Sequence, residues 1–189
     1  MASQSTPDAT RQRLLDATRV ALAQYGPRKI ALTDIARLAG VSRPTLYKHF
    51  PSKEVLLDAL AAYEHRRFDE GMTAAVQGLV GDDRIDAALR FVVEHQAHDP
   101  IQHLVAVEPG FVLEQVAAAV DVMRKRMRIL FQDAPSEQGL RATTDADDLA
   151  DLVVRTALSH FLIPSRDRTR LLRELRAIAG IPAVNFTSA

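Results

Sequence analysis

Apolar positions along this chain recur at helical spacing, and turn-forming residues separate them into segments. Across residues 8–25, Leu14, Leu15, Thr18, Leu22 and Tyr25 fall near one helical face, and Gly26-Pro27 closes the segment. The stretch from Thr33 to Phe50, TDIARLAGVSRPTLYKHF, then reads as two short helices joined by a tight turn. Thr33 and Asp34 are expected to open the first, because their side-chain oxygens accept unpaired amide protons. Ala39-Gly40 stops it, and Val41 is expected to fill the angle between the pair. Ser42 is the N-cap expected for the second helix, with Pro44 in its first turn, where a missing amide proton costs nothing. Leu46 and Phe50, four apart, point inward. Arg43, Thr45, Tyr47, Lys48 and His49 are left mostly outside.

The pattern continues helical to the end. Segments are expected at Ser52–Gln77, Arg84–His98, Ile101–Val107, Phe111–Gln132, Asp145–Ile163 and Arg166–Ala179, punctuated by glycines and prolines. Glycines at 71, 78 and 81 suggest that the first of these frays early. No strand is evident. The expectation is an all-α chain of about nine helices, with a helix-turn-helix domain at 8–55, a helical body at 56–182, and loose tails at 1–7 and 183–189.

A helix pair whose second member shows a polar, cationic outer face has the layout of a helix-turn-helix. In that motif one helix crosses the DNA backbone and the next enters the major groove. The segments LLDATRVALAQYG and ALTDIARLAGVSRPTLYKHFPSKEVLL resemble the N-terminal DNA-binding domain of the tetracycline-repressor-like (TetR) family of bacterial regulators, over roughly residues 10 to 60. The chain departs from that family's pattern twice. Pro44 stands where a small residue is frequent, and the loop Gly26–Ile30 is more basic than usual. By resemblance and exposure, Arg43, Thr45, Lys48 and His49 are expected at base edges or nearby phosphates, and Thr33, Tyr47 and Lys53 on the backbone. Arg28 and Pro44 are expected in the DNA-binding surface as well.

Charge sharpens this picture. The chain is neutral overall, with 24 basic and 24 acidic side chains, but they are segregated. Residues 1–55 carry nine basic and four acidic side chains, a balance of +5, so the remainder carries −5. A basic head on an acidic body suits a protein whose head meets nucleic acid. The absence of cysteine excludes disulfides, thiolate metal sites and a cysteine nucleophile. No signal peptide and no membrane-length apolar run is evident, so the expected location is the cytoplasm, on the nucleoid when DNA is bound, with no membrane partner.

Two stripes in the body read as a dimer surface: Leu149, Val153, Ala157 and Phe161, and then Leu171, Leu175 and Ile178 with Leu172. Pattern alone leaves open that they close the core of a single chain. The family resemblance favours pairing of the last two helices across a two-fold axis, which would set two reading heads about 34–36 Å apart on a palindromic site.

Arg84–His98 carries a second stripe, Phe91, His95 and His98, beside its main one. Along Phe111–Gln132 run Val116, Ala119, Met123, Met127 and Phe131. Such residues are ordinary core. In the resembled family the body helices enclose an effector cavity, which implies these residues together with His103, Leu104 and Val107 as its lining. His95, His98 and His103 could also be metal ligands, but nothing fixes a coordination geometry, and neither metal nor cofactor is expected.

The expected function is a homodimeric, ligand-responsive repressor of palindromic operators, released by a small and largely apolar effector. The rival is a DNA-binding regulator whose body recruits a protein partner and has no cavity. An enzyme on a helical bundle is disfavoured, since no nucleophile–base pair, phosphate loop or firm metal set is present.

Overall fold

Local sequence signals set where each helix starts and stops. In the computed structural model the described residues are 7–97, 99, 102–134, 139–165 and 167–181. Among them are nine α-helices and no strand. The expected tails lie outside this set, apart from Pro7, which opens the first helix, and so does His98.

Helix α1 (Pro7–Lys29) is broken at Gly26, whose φ of 72° and ψ of 164° are not helical, so its regular part ends at the expected place. α2 (Leu32–Leu38) starts earlier than expected. Its N-cap is Ala31, which offers no side-chain cap, and Thr33 sits inside the first turn. The preceding backbone is extended at Ala31 (φ −112°, ψ 139°), and this sets the start without a polar cap. α2 ends in a Schellman turn. Gly40 takes φ 63°, its amide donates to Arg37 O, and the Val41 amide donates to Ala36 O at 3.0 Å. α3 (Arg43–His49) is capped as expected by Ser42, whose Oγ accepts from the Thr45 amide at 3.2 Å, with Pro44 in its first turn. α4 (Lys53–Val76) begins behind Ser52, whose Oγ accepts from the Val55 amide.

α4 does not fray at Gly71 but runs on to Val76. Close approach explains the glycine there. A Cβ on Gly71 would lie 2.6 Å from Phe91 Cε2, so only glycine lets the aromatic ring sit against this helix. The remaining helices are α5 (Gly81–Ala97), α6 (Leu104–Val107), α7 (Pro109–Gln132), α8 (Ala146–Leu162) and α9 (Arg168–Ile178). Asp145 and Asp167 cap the last two.

The chain divides into two units. One comprises residues 1–69 with 103–111, and the other 70–102 with 112–189. The first therefore continues past residue 55 into α4 and takes in α6. Its core is Leu14, Leu15, Ile35, Leu46, Phe50 and Leu56, each at most 1% exposed. Burying such side chains contributes about 1.5–3 kcal/mol apiece. The second unit is built on Ile85, Leu89, Val112, Leu149, Val153 and Leu175.

That second core corrects the reading of the dimer stripes. Leu149, Val153, Ala157, Phe161, Leu171 and Leu175 are all buried within the single chain, and Ile178 is half-buried. α8, α9 and α5 pack on one another, and these side chains fill the space between them. A side chain already removed from water adds almost no apolar burial when a second copy arrives. The outward face of α8 shows instead Leu152, 43% exposed, and Ile163, just past its end, is 79% exposed.

Candidate nucleic-acid interface

The site is built from the inside outward. α3 has seven residues, roughly two turns. Leu46 and Phe50, each 1% exposed, fasten one side of it to the core of the first unit. That leaves Arg43, Pro44, Tyr47 and Lys48 exposed together on the other side, Tyr47 at 49%. Thr45 and His49 are half-buried at its edges. Thr45 is also part of the cap, its Oγ1 lying 2.8 Å from Ser42 Oγ, so its hydroxyl already has one partner. Thr33 and Lys53 are half-buried in the first turns of α2 and α4.

Arg43, Lys48 and Lys53 have no carboxylate within ion-pair distance among the described residues. Arg28 differs. Its side chain is 90% exposed, and its Nε lies 3.6 Å from Oε2 of Glu108, a carboxylate only 13% exposed. Arg37 on α2 is paired with Asp34 at 3.6 Å.

α1 and the first part of α4 are held together by a polar cluster that the sequence pattern did not reveal. Tyr63 donates to Asp16 Oδ1 at 3.2 Å and accepts from the Gln12 amide, and the Arg67 guanidinium lies 5.7 Å from the Tyr63 ring centroid. Burial, and then the Asp16 carboxylate beside it, push the Tyr63 phenol above its ordinary value, so it remains a proton donor. Arg11, missed for the same reason, lies over the ring of Phe50 at 5.4 Å. Both contacts join residues about 40 or more positions apart in the chain, and no local motif encodes them.

The residues expected around an effector fall in both units. In the second, Ala119, Met127 and Phe131 are buried, while Phe91, His95, Val116 and Met123 are half-buried. Phe91 and His95 are neighbours, ring centroids 5.7 Å apart. In the first, Leu104 is buried, whereas His103 is exposed and Val107 is 68% exposed. Exposure removes His103 and Val107 from the interior lining expected of them. Among the described residues no group of three or more His, Asp or Glu is placed to hold a metal ion, and no helix is long and apolar enough to cross a membrane.

Together these features define one unit with a helix-turn-helix whose second helix has a cationic outer face, and a second unit that is helical throughout its described residues. Comparison with known proteins places the chain more narrowly. Residues 14–60 match the tetR family of bacterial regulatory proteins. The chain is 37% identical over 117 residues to the HTH-type transcriptional repressor LfrR of Mycolicibacterium smegmatis, covering 61% of this chain and 59% of that one. It is 40% identical over 74 residues to the regulator EthR of the same organism, covering 39% and 31%. The chain thus spans less than two thirds of these relatives' lengths. The fold is shared with the fatty acid degradation regulator FadR of Bacillus halodurans, at a TM-score of 0.71 and 15% identity, over 92% of this chain and 94% of that one. Over residues 14–60 the chain is thus similar to the tetR family of bacterial regulatory proteins, and its fold is that of solved TetR-like regulators.

Proposed function

We propose that this chain is a sequence-specific DNA-binding repressor acting as a homodimer on a palindromic operator. The observation that carries the reading is the outer face of α3. Arg43 and Lys48 stand exposed beside Tyr47 without carboxylate partners among the described residues, on a helix fixed from behind by Leu46 and Phe50. Ion-paired cations would have to give up a partner before meeting phosphate; these would not. Arginine is the best major-groove reader of guanine, through two parallel hydrogen bonds. Similarity to LfrR, itself a repressor, supports repression over activation.

In this reading two copies join through α8 and α9, with Leu152 on the outer face of α8 and Ile163 just past its end. A small, largely apolar effector enters among Phe91, His95, Val116, Met123 and Met127. Binding there favours an arrangement of the heads that no longer fits the operator. To reverse the population from mostly bound to mostly free, the effector must prefer that arrangement by about 5 kcal/mol.

The test is a gel-shift and footprint on the DNA upstream of the chain's own coding region. A protected inverted repeat, with one protein dimer per site, supports the proposal. Binding of a single copy to an asymmetric site, or binding of equal strength to every duplex, overturns it. Replacing Leu152 with Asp should yield folded monomer by sedimentation; a dimer that persists places the interface elsewhere.

A further inference from the structure

We infer that Arg11, on α1 and outside the helix-turn-helix, is a further contact to the DNA backbone, held ready by the ring of Phe50. The inference rests on the DNA-binding reading above. Arg11 has no carboxylate within ion-pair distance among the described residues, and its guanidinium carbon lies 5.4 Å from the Phe50 ring centroid. Phe50 is 1% exposed, so the ring is a fixed platform and not a mobile surface group. It directly follows α3, and its ring lies 6.4 Å from that of His49. Three residues further on, Lys53 opens α4. The ring therefore keeps the Arg11 charge at the corner where α3 passes into α4, beside two residues already expected to meet DNA.

An arginine side chain that must be immobilised on binding loses rotamer entropy. Stacking on a buried ring removes part of that loss in advance, while the planar guanidinium keeps edge N–H groups for a phosphate oxygen. Half-exposed as it is, Arg11 can be stacked and reached from solvent at once. Arg13 provides the contrast. Two residues on, about 200° around the helix, it is exposed and has neither a ring nor a carboxylate partner among the described residues.

The experiment uses the full chain and a short mixed-sequence duplex, since a backbone contact acts on every sequence. Affinity is measured between about 50 and 200 mM salt, and each phosphate contact adds about 0.9 to the slope of log affinity against log salt. Arg11→Met, which keeps an alkyl chain over the ring, should lower that slope by about one. Arg11→Lys should keep it, and Arg13→Ala should leave it unchanged. A wild-type slope in folded Arg11→Met overturns the inference. Loss of folding in both Arg11→Met and Arg11→Gln also overturns it, because Arg11 would then serve the core. If the wild-type chain itself retains no duplex at the lowest salt, the DNA-binding reading falls and takes this one with it. If the wild type binds and only the Arg11→Met prediction fails, the DNA-binding reading stands.

Discussion

The two units use their arginines differently. In the second, Arg84, Arg90, Arg128, Arg141, Arg155 and Arg176 each lie within 4.0 Å of an aspartate. In the first, Arg19, Arg28, Arg37 and Arg67 are paired as well, but Arg11, Arg13, Lys29, Arg43, Lys48 and Lys53 have no carboxylate within that distance among the described residues. Unpaired cations repel one another, so a head that keeps them gives up some stability to hold a surface ready for an anion. In the body the same residue type ties helices together. The Arg176–Asp86 pair is the clearest case. Both nitrogens of the fork bind one carboxylate, at 2.6 and 2.9 Å, and join α9 to α5 with each side chain less than a fifth exposed. Charge alone does not distinguish these two uses; the presence or absence of a carboxylate partner does.

The comparison predicts that body substitutions change stability and head substitutions change DNA binding. The largest effect belongs to the apolar face behind the body's ion pairs. Leu175 is 0% exposed, so Leu175→Ala should cost about 2–5 kcal/mol of stability. Below its lowered melting temperature the folded variant should stay dimeric by sedimentation. A monomer of otherwise native stability would restore Leu175 to the dimer interface and break the contrast.

Asp86→Ala should come next, at about 1.5–3 kcal/mol, with no change in the salt slope of DNA binding. The hydrogen bond from Arg176, assisted by Arg90, holds the Asp86 carboxyl below its ordinary value of 3.8. Its folded-state value is therefore below its unfolded one. The stability it contributes is present above pH 3.8 and is lost as pH falls through the folded value. Chemical denaturation across that window should show the wild type losing more stability than Asp86→Ala as the solution is acidified. Parallel losses would mean that the pair does not clamp the body.

Arg43→Ala should do the reverse. Stability should change by less than about 0.5 kcal/mol, while operator affinity falls by about 1–3 kcal/mol with relaxed choice at one base pair per half-site. Lys53→Ala should weaken all duplexes alike. Calorimetric melting beside binding titrations on permuted operators would check both. A large loss of stability in Arg43→Ala would put that residue with the body's clamps.

The head was far more legible in the sequence than the body, and the reason is local. Ser42, Pro44, Gly40 and the Leu46–Phe50 pair act over three or four residues, so their types and spacing specify the helix pair before any tertiary contact forms. Helix order and number were legible for the same reason, with α2 the exception because an extended Ala31 replaces a side-chain cap. What the body's stripes pack against was not legible. Leu149 and Leu171 look the same whether covered by α5 or by a second chain, since periodicity reports that a face is buried and not by what. Asp86–Arg176, ninety residues apart, and Arg11–Phe50, on different helices, leave no periodic trace.

The smallest effect tests Arg28, a residue expected to meet DNA that is held in an ion pair. Glu108 follows α6, and its carboxylate reaches both Gly26 and Arg28 at the break in α1. Its Oε1 would lie 2.5 Å from a Cβ on Gly26, and its Oε2 lies 3.6 Å from Arg28 Nε. Arg28 is 90% exposed, so solvent screens the pair, and such exposed pairs are worth about 0–1 kcal/mol. If Arg28 meets phosphate, Glu108 competes for it. Glu108→Gln should then raise DNA affinity by less than about 1 kcal/mol, most at low salt, because one repulsive charge near the backbone is gone. The Arg28→Ala, Glu108→Gln double variant should lose most of that gain, which identifies Arg28 as the group through which Glu108 acts. Weaker binding of Glu108→Gln in a folded protein would reverse the assignment: Glu108 would then be supporting the turn that carries Arg28, and the contrast between unpaired head and paired body would stop at α1.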